Sequence, residues 1–83
     1  MTDSEFDLLD ELYFVQPFDY LKDALGWEDA HLLETLLSLY QKGMIKCLSG
    51  PDQERFDQVD VIAEGDKLMY LATKKGLMAH NTL

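Results

Sequence analysis

The side chains able to do chemistry in this 83-residue chain are few: His31, His80 and Cys47 are its good soft-metal ligands. No two of them stand at helical or zinc-knuckle spacing, so no metal site is expected. His31 falls early in a helix and reads as a solvent-facing or partly packed residue. Cys47 reads as a small core residue, because a reactive thiol needs neighbouring positive charge and Lys46 alone supplies little. The acid pairs Asp10/Glu11 and Glu28/Asp29 are adjacent in sequence. On a helix such neighbours diverge and share no proton, which leaves them to solvation and dipole compensation. There is no glycine-rich phosphate loop and no serine in a nucleophile-elbow context. The residues therefore predict no enzyme: no catalytic, cofactor-binding or metal-binding side chain and no small-molecule substrate.

Charge is the more informative quantity. Sixteen acids against seven Lys and Arg give a net −9. Residues 1–34 hold ten of the acids and only Lys22, whereas residues 35–83 are balanced at six of each. Non-specific affinity for nucleic acid comes mostly from cations meeting phosphates, so the first half opposes such binding and any contact would come from the second.

One small domain, residues 1–83, is expected, since a chain this short buries roughly 60–65 % of its unfolded surface. At 47 % hydrophobic residues it has ample core material and apolar surface left over for a partner. A lone cysteine, an acidic start (Met1 to Glu5) and the lack of a membrane-length apolar run predict a soluble, cytoplasmic protein without membrane contact.

The elements that must position any site follow from periodicity. Ser4, with Asp7 three residues on, is read as the N-cap of a first helix carrying Phe6, Leu9, Leu12, Tyr13 and Val15. Pro17 suits the first position of a second helix, with Phe18, Leu21 and Leu25 on one face. Gly26 ends it, and Glu28-Asp29 open a third helix whose stripe of Leu32, Leu36 and Leu39 faces the core. Trp27 reads as a staple onto that helix, with an exposed partner anchor as the alternative. Gly43 stands where a left-handed cap is needed, and residues 44–48 read as a short strand. Residues 49–55 read as loop; 58–61 and 67–72, joined by Glu64-Gly65-Asp66, carry a β-hairpin signal. Thr73 would cap a last turn, and residues 80–83 are expected to fray.

The order and spacing of residues 25–46 resemble the helix-turn-helix of bacterial winged-helix transcriptional regulators, down to the exit Gly43-Met44-Ile45-Lys46. The segment Leu71-Ala72-Thr73-Lys74-Lys75-Gly76 resembles their wing-closing Leu-Thr-x-x-Gly, with Ala72 intervening. The resemblance covers roughly residues 5–79. It implies an α+β fold: a small winged helix-turn-helix, three helices followed by a β-hairpin wing.

In a DNA reader the second helix of the motif enters the major groove with polar and basic residues on the base edges. Here the face opposite the core carries Glu28, Asp29, Ala30, Leu33, Glu34 and Leu37. Carboxylates beside phosphates repel, and leucines cannot hydrogen-bond to bases. Ala30, Leu33, Leu37 and Tyr40 share one face, rimmed by Glu34, and this strip is read as a protein-binding surface unless it packs within the chain itself. The expected function is a protein–protein interaction or regulatory adaptor, with a protein partner or a second copy of the chain in a homodimer. The alternative is a DNA-binding regulator that uses Lys42, Lys46, Arg55, Lys67, Lys74 and Lys75 along the wing. Interleaved acids neutralise that region, which favours the first reading.

Overall fold

The structure is a computed structural model, and it describes residues 1–82. Helix α1 (Asp3–Asp10) is capped by Thr2, not Ser4. The Thr2 hydroxyl accepts the Glu5 N–H at 3.1 Å and the Glu5 carboxylate accepts the Thr2 N–H at 2.9 Å. A glutamate at the third helical position is long enough to reach back to the cap, so Thr2-x-x-Glu5 closes a complete capping box. The helix also stops earlier than its apolar rhythm suggests. The Glu11 and Leu12 N–H groups tighten onto Leu8 and Leu9, and the Leu12 carbonyl accepts from Ala72 N–H at 2.9 Å. That bond to a distant strand turns the chain out of the helix.

Strand β1 (Gln16–Pro17) follows, paired antiparallel with β4 (Met69–Ala72). It lies at the sheet edge, where a proline without a donor is tolerated. Pro17 is thus the extended residue before α2 (Phe18–Leu25), one position earlier than expected. Gly26 ends α2 at φ 68°, Glu28 precedes α3 (Asp29–Gln41), and Gly43 follows at φ 73°. Both glycines adopt the left-handed conformation that a Cβ disfavours. Leu32, Leu36 and Leu39 are fully buried, as their spacing predicts.

Strand β2 (Ile45–Gly50) pairs with β4 from Ile45 opposite Ala72 to Leu48 opposite Met69. It also turns at Pro51-Asp52 into β3 (Gln53–Glu54), a hairpin in the stretch read as loop. The expected hairpin between 58–61 and 67–72 does not form. Asp60 caps a helical turn, α4 (Val61–Glu64), by accepting the Ala63 N–H at 3.1 Å, and a 3-10 turn (Gly65–Lys67) follows. Val59 and Val61 are both buried, which gives strand-like alternation, but the Val59 N–H donates to the Tyr40 hydroxyl instead of to a ladder. Only β4 of the two expected wing strands exists.

Helix α5 (Lys74–Asn81) closes the chain, and Thr73 caps it through the Gly76 N–H at 3.1 Å. It docks on the exit of α3. Lys75 Nζ donates to the Lys42 carbonyl, Thr73 Oγ1 to Gly43, and Thr73 N–H to Met44, which satisfies carbonyls the helix end leaves free. A Cβ on Gly76 would overlap the Met44 carbonyl, so only glycine permits this approach. The expected fraying at His80 is likewise corrected: its ring stacks on Phe6, centroids 4.2 Å apart. Leu83 lies outside the described residues.

The result is α+β: five helices and an antiparallel sheet in the order β1-β4-β2-β3 among the described residues. One core joins Leu8, Leu9 and Leu12 of the N-terminal segment to the α3 stripe and to Ile45, Cys47 and Tyr70 of the sheet. No described helix is long and apolar enough to cross a membrane.

Candidate interaction surface

The outer face of α3 divides in two. Ala30 and Glu34 are exposed, together with Glu28, Asp29 and His31 at the start of the helix. Leu33, Leu37 and Tyr40 are half-buried and pack against the chain's own core. Over Leu33 and Tyr40 the cover is residues 57–65, part of the stretch whose alternation predicts a wing strand. Leu33 lies so close to Gly65 that a Cβ there would sit 2.7 Å from Leu33 Cδ2. The Tyr40 hydroxyl receives the Val59 N–H at 3.2 Å and reaches the Asp57 carbonyl at 3.5 Å. Trp27 is half-buried and meets the His31 ring edge-on at 4.4 Å, over the first turn of α3.

The six candidate nucleic-acid cations are mostly engaged inside the molecule. Lys42 Nζ lies 2.7 Å from Glu5 Oε2 and Lys46 Nζ lies 2.9 Å from Glu54. Arg55 holds Asp57 through two nitrogens, at 2.7 and 2.5 Å, and Glu64 at 3.0 Å. That fork raises the guanidinium further above its ordinary range and holds the Asp57 carboxyl at about 2. Lys75 is spent on the end of α3, while Lys67 and Lys74 are exposed.

The groups with chemical potential are similarly tied. Burial pushes the Cys47 thiol up to about 11, where it is protonated and unreactive near neutrality. Glu5 is 2 % exposed, yet it stays ionised. Burial favours its neutral form, but Lys42, the Thr2 N–H and the Ser38 hydroxyl outweigh this and bring the carboxyl down to about 2. Ser38 in the last turn of α3 and Lys42 at its C-cap both reach it across the α1–α3 contact. His31 Nε2 lies 3.1 Å from the Ser4 hydroxyl. Among the described residues no three His, Cys, Asp or Glu converge as a metal-holding group.

The residues that periodicity passed over are exposed aromatics. Phe14 is 76 % exposed and Phe56 87 %, with Tyr13 and Tyr20 also at the surface. Tyr13 shares the apolar rhythm of the first helix in sequence, but the early end of α1 turns it outward. Its hydroxyl lies 2.6 Å from His80 Nδ1 and donates to Asn81 at 3.2 Å. The Tyr20 hydroxyl donates to Glu11 at 3.2 Å, so both rings sit beside the turn from α1 to β1. The dipeptide Tyr13-Phe14, followed by Pro17, was the available sign that helix and core periodicity end there. Compared with protein-family models, with curated proteins and with solved structures, the chain matches none.

Proposed function

We propose that this chain is a small cytoplasmic domain of the winged-helix type that acts as a protein-interaction or regulatory adaptor and does not read DNA. The α2–turn–α3 unit, joined by three residues that include Gly26 and followed by antiparallel β2 and β4, supports the fold part of this reading. Residues 51–68, which link those two strands, stand where the wing would be.

One observation carries the functional part: four of the six cations a wing-based DNA contact would use are already engaged within the chain. Lys42, Lys46 and Arg55 are in ion pairs and Lys75 caps a helix end, while the first two turns of α3 and its cap present Glu28, Asp29 and Glu34. A lysine beside a carboxylate of its own chain offers a weakened field to phosphate, and the acidic turns would repel the duplex. Exposed aromatics suit a protein surface instead, since Tyr and Phe are enriched in interface cores.

Fluorescence anisotropy with a labelled random duplex at two salt concentrations tests the reading. The expected result is no measurable association, weaker than the ~10⁻⁴–10⁻⁶ M of ordinary non-specific binders. Micromolar binding that falls steeply with salt would overturn it in favour of DNA contact through Lys67, Lys74 and their neighbours.

A further inference from the structure

Tyr13, Phe14 and Tyr20 are each exposed along the corner where α1 turns towards α2, and the segment that carries them is anionic. Asp10 and Glu11 precede it, and Asp19 and Asp23 stand beside and one turn beyond Tyr20 on α2. The only cation in residues 1–34, Lys22, is paired with Asp29 at 2.8 Å. Glu11, Asp19 and Asp23 have no ion-pair partner among the described residues. Two of the three rings are held ready, Tyr13 by His80 and Asn81 and Tyr20 by Glu11, so these two have little side-chain freedom left to lose on binding.

We infer that this corner docks a cationic segment of a partner protein, an exposed run of arginine or lysine side chains, with Phe14 as the central contact. Aromatic faces attract a cation laid over them, and the flanking carboxylates accept its N–H groups. The same field argues against the other occupants. A second copy of the chain would bring its own net −9, and nucleic acid or an anionic membrane surface would bring like charge. A Phe-Tyr patch without the acids would accept any apolar partner; the acids select a basic one.

The inference rests on the adaptor reading above, and its test is separate from the DNA experiment. A fluorescein-labelled octa-arginine peptide is titrated with the full chain at about 0.15 M salt, with an octa-glutamate peptide as control. The parent should bind only the arginine peptide. F14S combined with Y20S keeps the net charge and should weaken binding about tenfold, whereas F56S, at the other exposed phenylalanine, should leave it unchanged. F14S alone, at a side chain 76 % exposed, guards against loss of folding in the double variant and should weaken binding in the same direction. Amide shift changes on titration should centre on residues 10–23. Failure of the parent to bind, equal binding by F14S, or equal loss in F56S would overturn the inference while the adaptor reading stands. So would self-association of the parent, by sedimentation, that F14S abolishes.

Discussion

Glu5 is the residue in which local structure, packing and charge meet. It completes the capping box of α1, and the same carboxylate takes Lys42 at 2.7 Å and Ser38 at 2.8 Å from α3. Its folded-state value of about 2 lies below the ordinary 4.5. The stabilisation is therefore fully present above about pH 4.5 and is lost as the pH falls from there towards 2. E5Q should cost about 1.5–3 kcal/mol near neutrality, the range for hydrogen bonds to a charged group. Melting curves across that acid range should show the gap between variant and parent closing as the pH falls. A gap of constant size would mean that the side chain's volume, and not its charge, stabilises the α1–α3 contact.

At the scale of elements, α3 serves two neighbours at once. Its Leu32/Leu36/Leu39 stripe enters the core, Leu33 and Tyr40 lie under residues 57–65, and Leu37 packs half-buried against the core. The stretch expected to pair as a wing strand is thus a lid on the helix. Its backbone is satisfied by the Asp60 cap and by the tyrosine hydroxyls of Tyr40 and Tyr70, the latter donating to the Gly65 carbonyl at 2.6 Å. L33K should consequently lower the melting temperature, because a charge placed against Gly65 and Tyr70 loses water without gaining a partner. A30K, one turn earlier on an exposed position, should change stability by no more than about 0.5 kcal/mol. Equal melting of the two variants would show that α3 is free of its lid and would return the whole apolar strip to partner binding.

The whole molecule is small, with principal extents of 30 × 26 × 19 Å, so its charges interact across distances that salt screens only in part. Ten acids and one base in residues 1–34 repel one another in the compact state, while the balanced second half is laced with ion pairs. The repulsion is the larger effect, because exposed ion pairs contribute about 0–1 kcal/mol each. Raising sodium chloride from about 0.01 to about 0.3 M should therefore raise the melting temperature, since the Debye length falls from about 30 Å to below 10 Å. A fall in melting temperature would place more stability in the ion pairs than their exposure suggests. The same one-sided field is what a cationic partner would meet at the proposed site around Phe14.

What the sequence determined by itself is what neighbouring residues decide. Glycines at 26 and 43 end helices because only they sit easily at positive φ, and Thr73 caps α5 through a side chain that reaches three residues ahead. Leu32, Leu36 and Leu39 declare a buried face by spacing alone. The Thr2–Glu5 box is equally local, and it, not the Ser4–Asp7 pair, caps α1 because glutamate reaches back to the cap N–H. The rest depends on residues far apart in the chain. α1 ends where the Leu12 carbonyl meets Ala72, Lys42 loses its freedom to Glu5, and Tyr13 is set by His80, separations of 37 residues for the second and 67 for the third. Val59 and Val61 alternate as a strand would, and only the presence of Tyr40 and the α3 surface makes a lid the better use of them. Periodicity reports which side chains are apolar, but which surface they bury against is settled when the whole chain closes on itself.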